Sequence, residues 1–214
     1  MSRFICAAKP GGSEVLELRE RPIPKPGPNE AVIQQTKIGL NFLDIYQTSG
    51  LYPFPKNDVF VPGNEAVGKV IAIGKNVVDL KINDRVAYAT IVGAFAEDRL
   101  INADRLIKIP KSISDETAAA SMLKGMTVEY LVNRCANLKP GDTVLFHAAA
   151  GGVGLIAGQW LKHLGVETIG TVGNSEKLNL AKDAGYNHVI NYQEDDFVTA
   201  TMDLTNGKGV KVVY

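Results

Sequence analysis

The spacing of apolar residues along this chain changes near residue 125. Before it, short apolar runs such as Ala31 to Ile33, Ala66 to Ile73 and Arg85 to Tyr88 are broken by glycine and proline, the texture of a β-rich unit with many turns. Pro22, Pro24, Pro26 and Pro28 predict one extended edge segment. Pro53, Pro55 and Pro62 bracket a loop in which Leu51, Tyr52, Phe54 and Phe60 either line a site or pack beneath it. After Gly125 strands and helices alternate: strand 143–147, helix 153–164, strand 166–172, helix 175–184, strand 187–191, a weaker helix near 195–205 and strand 210–214. Such alternation means right-handed crossovers and a parallel sheet. Gly165 and Gly185, each just past a helix, suit left-handed caps. The expected domains are 1–125 and 126–214.

Chemistry is densest in His147 to Gly154, HAAAGGVG. It follows the apolar run Thr143 to Phe146 and precedes Leu155, Ile156, Ala157, Trp160, Leu161 and Leu164 at helical spacing, so a strand turns sharply into a helix through small residues. Ala149, Gly151 and Gly154 fill the three small positions of a dinucleotide-binding turn, with Ala in place of the first Gly. Gly151 and Gly152 let a pyrophosphate approach the backbone, Gly154 lets helix and strand pack closely, and the helix N-terminus offers N–H groups to phosphate. A glycine-rich loop without a ligand is the bland alternative.

The second strand of a NAD site usually ends in an Asp or Glu that holds the ribose hydroxyls. Here it runs into Gly173, Asn174, Ser175, Glu176 and Lys177, with no acid at that position. The Ser175 hydroxyl, helix N–H groups and the Lys177 ammonium form a cradle for a 2′-phosphate, and NADPH is the expected cofactor. A charged hydrogen bond worth about 1.5–3 kcal/mol makes Lys177 responsible for roughly ten- to a hundred-fold in affinity. The alternative makes Ser175 an ordinary N-cap and Lys177 a solvated helix residue. Glu176, adjacent on the helix, does not share the face.

Balanced charge, 23 basic against 23 acidic residues in 214, argues against a nucleic-acid partner. Cys6 and Cys135, far apart, suggest neither a disulfide framework nor a thiolate zinc site. No signal-like or membrane-length apolar stretch is present, so the cytoplasm is the expected compartment. In a doubly wound sheet of order 3-2-1-4-5-6, residues 143–214 supply strands one to four. The Rossmann sheet is therefore expected to be incomplete at its C-terminus, with Val210, Val212 and Val213 forming an open edge.

Several segments together resemble the NADPH-dependent quinone oxidoreductases, the zeta-crystallin-like, zinc-independent branch of the medium-chain dehydrogenase/reductase family. They are Gly39-Leu40-Asn41-Phe42-Leu43-Asp44, Gly50-Leu51-Tyr52-Pro53, Pro62-Gly63-Asn64-Glu65-Ala66-Val67-Gly68, Lys124-Gly125-Met126-Thr127, HAAAGGVG and Gly170-Thr171-Val172-Gly173. The resemblance covers Gly11 to Tyr214 and implies a GroES-like, β-rich substrate domain followed by a Rossmann domain, with the family's C-terminal third absent. It implies no metal site: Asn64 stands where related alcohol dehydrogenases carry a ligand histidine, and Asn41 lies where they carry a cysteine.

By resemblance, Asn41, Tyr46, Lys124 and Thr127 belong to the nicotinamide end, with Asn41, Tyr46 and Lys124 as catalytic candidates. The run Ala149, Ala150, Gly151, Gly152, Val153 and Gly154 belongs to the pyrophosphate, and Gly173, Asn174, Ser175, Lys177 and Tyr192 to the adenosine 2′-phosphate. The implied reaction is hydride transfer to a quinone or conjugated carbonyl. Tyr46 or water supplies a proton, a weak acid that needs Lys124 or solvent to help it. Tyr46 also reads as a packed rim aromatic, Tyr52 and Phe54 as rings that either stack on a flat quinone or, the favoured reading, shield a core, His147 as a packed, hydrogen-bonded residue, and His163 and His188 as surface or capping residues. Enone or alkenal reduction and a noncatalytic nucleotide-binding role remain open. A homodimer is expected of full-length family members, whereas this chain is expected to pair or aggregate through its open edge.

Overall fold

The computed structural model describes residues 1–54 and 59–214, and the chain divides into two compact units, Met1–Leu123 and Lys124–Tyr214. In the first unit β1 (Ser2–Cys6) pairs antiparallel with β2 (Glu17–Arg21). β3 (Glu30–Gly39) is followed by the short helix α1 (Phe42–Thr48), then by β4 (Glu65–Ile73), β5 (Arg85–Ala89), β6 (Asp98–Asn102) and β7 (Ile107–Lys108). These strands form one antiparallel sheet of order β6-β3-β4-β5-β7.

The apolar runs seen in the sequence are the strands of this sheet, and they bury Ala31, Ile33, Ala66, Val70, Val86 and Tyr88. Burial pushes the Tyr88 phenol up to about 12, so it stays neutral while it donates to Gln35 Oε1 at 2.6 Å and accepts from Arg99 at 2.8 Å. Pro22 to Pro28 depart from expectation: no strand forms over 22–28. Four prolines remove the N–H groups that an edge strand needs for pairing.

Helix α2 (Asp115–Glu129) continues as a π-helical turn, Tyr130–Cys135. In the second unit β8 (Thr143–Phe146), α3 (Gly152–His163), β9 (Glu167–Val172), α4 (Glu176–Asp183), β10 (His188–Asn191), α5 (Phe197–Leu204) and β11 (Val212–Val213) alternate as the period predicts. The sheet is parallel with order β10-β9-β8-β11, the 3-2-1-4 arrangement of a Rossmann half. Helix α3 lays Ala157 and Leu161, with Leu155, Ile156, Trp160 and Leu164, against the sheet. Gly165 and Gly185 adopt φ of +70° and +109°, the left-handed caps expected of them. Strand β11 is the sheet's edge, and Val213 is 57% exposed.

Candidate functional site

Beyond β8 the backbone turns through Ala148, at φ +53°, and enters α3 at Gly151, whose N–H donates to the Ala148 carbonyl at 2.7 Å. The left-handed residue of the turn is Ala148, one position before Ala149, which stands in place of the first glycine. Ala149 is small for a different reason. It is fully buried, donates its N–H to the Thr171 carbonyl at 2.9 Å, and a side chain on Gly170 would lie 2.6 Å from its Cβ.

Gly154 performs the packing role that its position predicts. A Cβ there would stand 2.5 Å from the carbonyl oxygens of both Ala148 and Ala149. Beneath it, Tyr186 donates from its phenol to the Gly154 carbonyl at 2.9 Å, and burial raises the Tyr186 hydroxyl far above the usual phenol range. Ala150 and Val153 pack against the core, so they face a ligand only through their backbone. The N–H groups of Gly152, Val153 and Gly154 begin the helix without intrahelical acceptors. The Lys124 side chain lies over this turn: a Cβ on Gly152 would meet its Cε at 2.8 Å and its Cδ at 2.9 Å. Half-buried Thr127 follows one turn along α2.

At the end of β9 the structure brings together the residues expected there. A Cβ on Gly173 would stand 2.5 Å from the Tyr192 hydroxyl, so the glycine makes room for that ring. Asn174 caps α4, its Oδ1 accepting the Lys177 N–H at 3.1 Å, and Lys177 has no ion-pair partner among the described residues. Ser175 is not the capping acceptor. Its hydroxyl donates to Glu194 Oε1 at 2.9 Å and accepts from Asn191 Nδ2 at 3.3 Å. The sequence has no acid at the end of β9 itself, but the turn after β10 brings one beside Ser175. The missed signal is topological: in a parallel sheet the residues after neighbouring strands emerge at the same edge.

His147 is exposed, yet its Nδ1 lies 3.0 Å from Thr171 Oγ1 and its ring meets Phe197 edge-on at 5.1 Å. His163 and His188 are exposed.

In the first unit Asn41 caps α1. Its N–H donates to Asp44 Oδ2 and its side-chain amide to Glu65 Oε1, both at 2.8 Å. Glu65 is fully buried and also accepts the Leu123 N–H at 2.7 Å. Asn64, buried beside it, donates to Asp44 Oδ1 at 2.7 Å and Gln47 Oε1 at 2.8 Å. Tyr46 is 42% exposed, with Phe42 6.3 Å away, which fits a rim position rather than the core. Tyr52 does not shield the core as expected: it is 49% exposed, on the turn after α1 where the N–H groups of Leu51 and Tyr52 both donate to the Tyr46 carbonyl. Phe54 does pack, 5.2 Å from Phe60. Pro55, within the loop bracketed by Pro53 and Pro62, lies outside the described residues.

Residues 27–111 match the family described as alcohol dehydrogenase GroES-like domain, and residues 152–214 that described as zinc-binding dehydrogenase. The quinone oxidoreductase of Pseudomonas aeruginosa is 46% identical over 215 residues, 100% of this chain and 66% of the relative. A 2-haloacrylate reductase of Burkholderia sp. is 42% identical, covering 96% and 63%. The crystal structure of Escherichia coli quinone oxidoreductase complexed with NADPH superposes with a TM-score of 0.96 at 46% identity, covering 100% of this chain and 65% of that one. The chain thus spans about two thirds of the length of the relatives it matches. With a GroES-like first unit, a Rossmann second unit and these relatives, the chain belongs to the quinone oxidoreductase family.

Proposed function

We propose that this protein is an NADPH-dependent reductase of quinones or conjugated carbonyls that works without zinc. The observation that carries the reading is the arrangement at the end of β9: Gly173 opens space beneath the Tyr192 hydroxyl, and Lys177 stands in the first turn of α4 without an ion-pair partner among the described residues. That set offers a hydroxyl, helix N–H groups and a cation to a 2′-phosphate, and the related E. coli enzyme was crystallised with NADPH. Asn174 orders the start of α4, and the first turn of α3 takes the pyrophosphate. When bound, NADPH supplies the hydride.

The protein's own residues hold and orient. Lys124, laid across Gly152, places an ammonium beside the turn, and Thr127 adds a hydroxyl on the same helix face. Asn41 holds the buried Glu65, and Tyr46, with its ring open to solvent, passes a proton to the acceptor oxygen either directly or through water.

Zinc does not fit the donor set. Asn41 and Asn64 direct their protonated amide nitrogens at Glu65 and Asp44, so these carboxylates are occupied by hydrogen bonds, and no cysteine or histidine joins them among the described residues. Without a Lewis acid to polarise an alcohol, reduction of an electron-poor acceptor is the matching chemistry. A haloacrylate-type conjugated acid is a second acceptor class, favoured by the 42% identity to the Burkholderia reductase. NADPH oxidation followed with benzoquinone and with a conjugated enoate in parallel tests the proposal. Quinone-dependent turnover is expected, and absence of turnover with both acceptors overturns it.

A further inference from the structure

Strands β9 and β10 run parallel, so the turn after β10 lies beside the start of α4. That turn is fixed: the N–H groups of Glu194 and Asp195 both donate to the Asn191 carbonyl at 3.0 Å, and buried Asn191 accepts the Gln193 N–H through its side chain at 3.3 Å. It delivers the Glu194 carboxylate to the Ser175 hydroxyl at 2.9 Å. Asp196, two residues further on, is committed elsewhere, capping α5 by accepting the Thr199 N–H at 3.0 Å.

A serine hydroxyl has one proton to donate. In this arrangement it goes to Glu194, and any phosphate oxygen that takes the Ser175 proton displaces the carboxylate and then has a negative charge as its neighbour. We propose that Glu194 is a specificity-determining residue that competes with a 2′-phosphate for Ser175 and so limits the margin by which the site prefers phosphorylated over unphosphorylated adenosine. This rests on the 2′-phosphate reading of Gly173, Ser175, Lys177 and Tyr192. It adds to that set a residue acting in the opposite direction, on an exposed turn where a substitution does not threaten the fold.

The test is calorimetric titration of the 214-residue chain with 2′,5′-ADP and with 5′-AMP, for the wild type, Glu194→Gln and Lys177→Ala. Glutamine retains an oxygen to accept from Ser175 and removes the charge. Glu194→Gln is expected to bind 2′,5′-ADP about two- to five-fold more tightly, the range for one exposed charge contact, with 5′-AMP unchanged and the gain shrinking as salt is raised. If Glu194→Gln leaves 2′,5′-ADP unchanged or weakened, or tightens 5′-AMP equally, while Lys177→Ala still weakens 2′,5′-ADP, the role of Glu194 is overturned and the cofactor reading stands. If the wild type does not distinguish the two ligands and Lys177→Ala changes neither, the cofactor reading fails and the proposal falls with it.

Discussion

Substituting Gly154 by alanine should separate the second unit's turn from its sheet. The added Cβ would stand 2.5 Å from two backbone oxygens, those of Ala148 and Ala149, where ordinary contact needs 3.4 Å or more. Neither oxygen can yield, since Ala148 accepts the Gly151 N–H and Ala149 is tied to the Thr171 carbonyl. The start of α3 must withdraw by roughly 1 Å, which stretches the 2.9 Å bond from Tyr186 beyond hydrogen-bonding range. Overpacking costs about 1–3 kcal/mol and the lost bond about 1 kcal/mol, offset by about 1 kcal/mol of alanine helix propensity. A net loss of about 1–3 kcal/mol lowers Tm by roughly 2–12 °C for a chain of this size. Displaced N–H donors should weaken NADPH at least about ten-fold. Gly152→Ala is the control, because its Cβ meets only the flexible Lys124 chain, and its Tm should stay within about 2 °C of wild type. Thermal unfolding and NADPH calorimetry read both variants. An unchanged Gly154→Ala protein, or an equal loss of Tm in Gly152→Ala, would refute the close-approach argument.

Other outcomes follow from the same contacts. Asp115 accepts from Thr36 Oγ1 at 2.6 Å and pairs with Arg85; the Thr36 bond first and the Arg85 guanidinium next hold its carboxyl below the usual range. Its stabilisation is therefore present above the unfolded-state carboxylate pKa and lost as pH falls through the lowered folded value. Asp115→Asn should cost about 1–3 kcal/mol at neutral pH by denaturant unfolding, with the gap closing in acid, and a gap independent of pH would contradict this. Treatment with a chelator should leave quinone-dependent NADPH oxidation intact, while activity lost to the chelator and restored by zinc would contradict the metal-free reading.

Elements governed by local periodicity were legible in the sequence. The spacing from Leu155 to Leu164 marks the buried face of α3, and Gly165 and Gly185 mark helix ends because only a left-handed backbone continues there. The strand order followed from the alternation of elements. Contacts between distant positions were less legible. Ser175 and Glu194 are 19 residues apart and meet only because two parallel strands end side by side. The Asn64, Asp44 and Gln47 cluster likewise requires α1 to fold back beside β4. The left-handed backbone at Ala148 is likewise not encoded in composition.

The most direct test of the account is titration of NADPH and NADH against wild type and Lys177→Ala. The wild type should prefer NADPH by about ten-fold or more, and the variant should lose most of that preference while keeping its NADH affinity. A preference unchanged by removing Lys177, or no binding of either nucleotide at millimolar concentration, would contradict it.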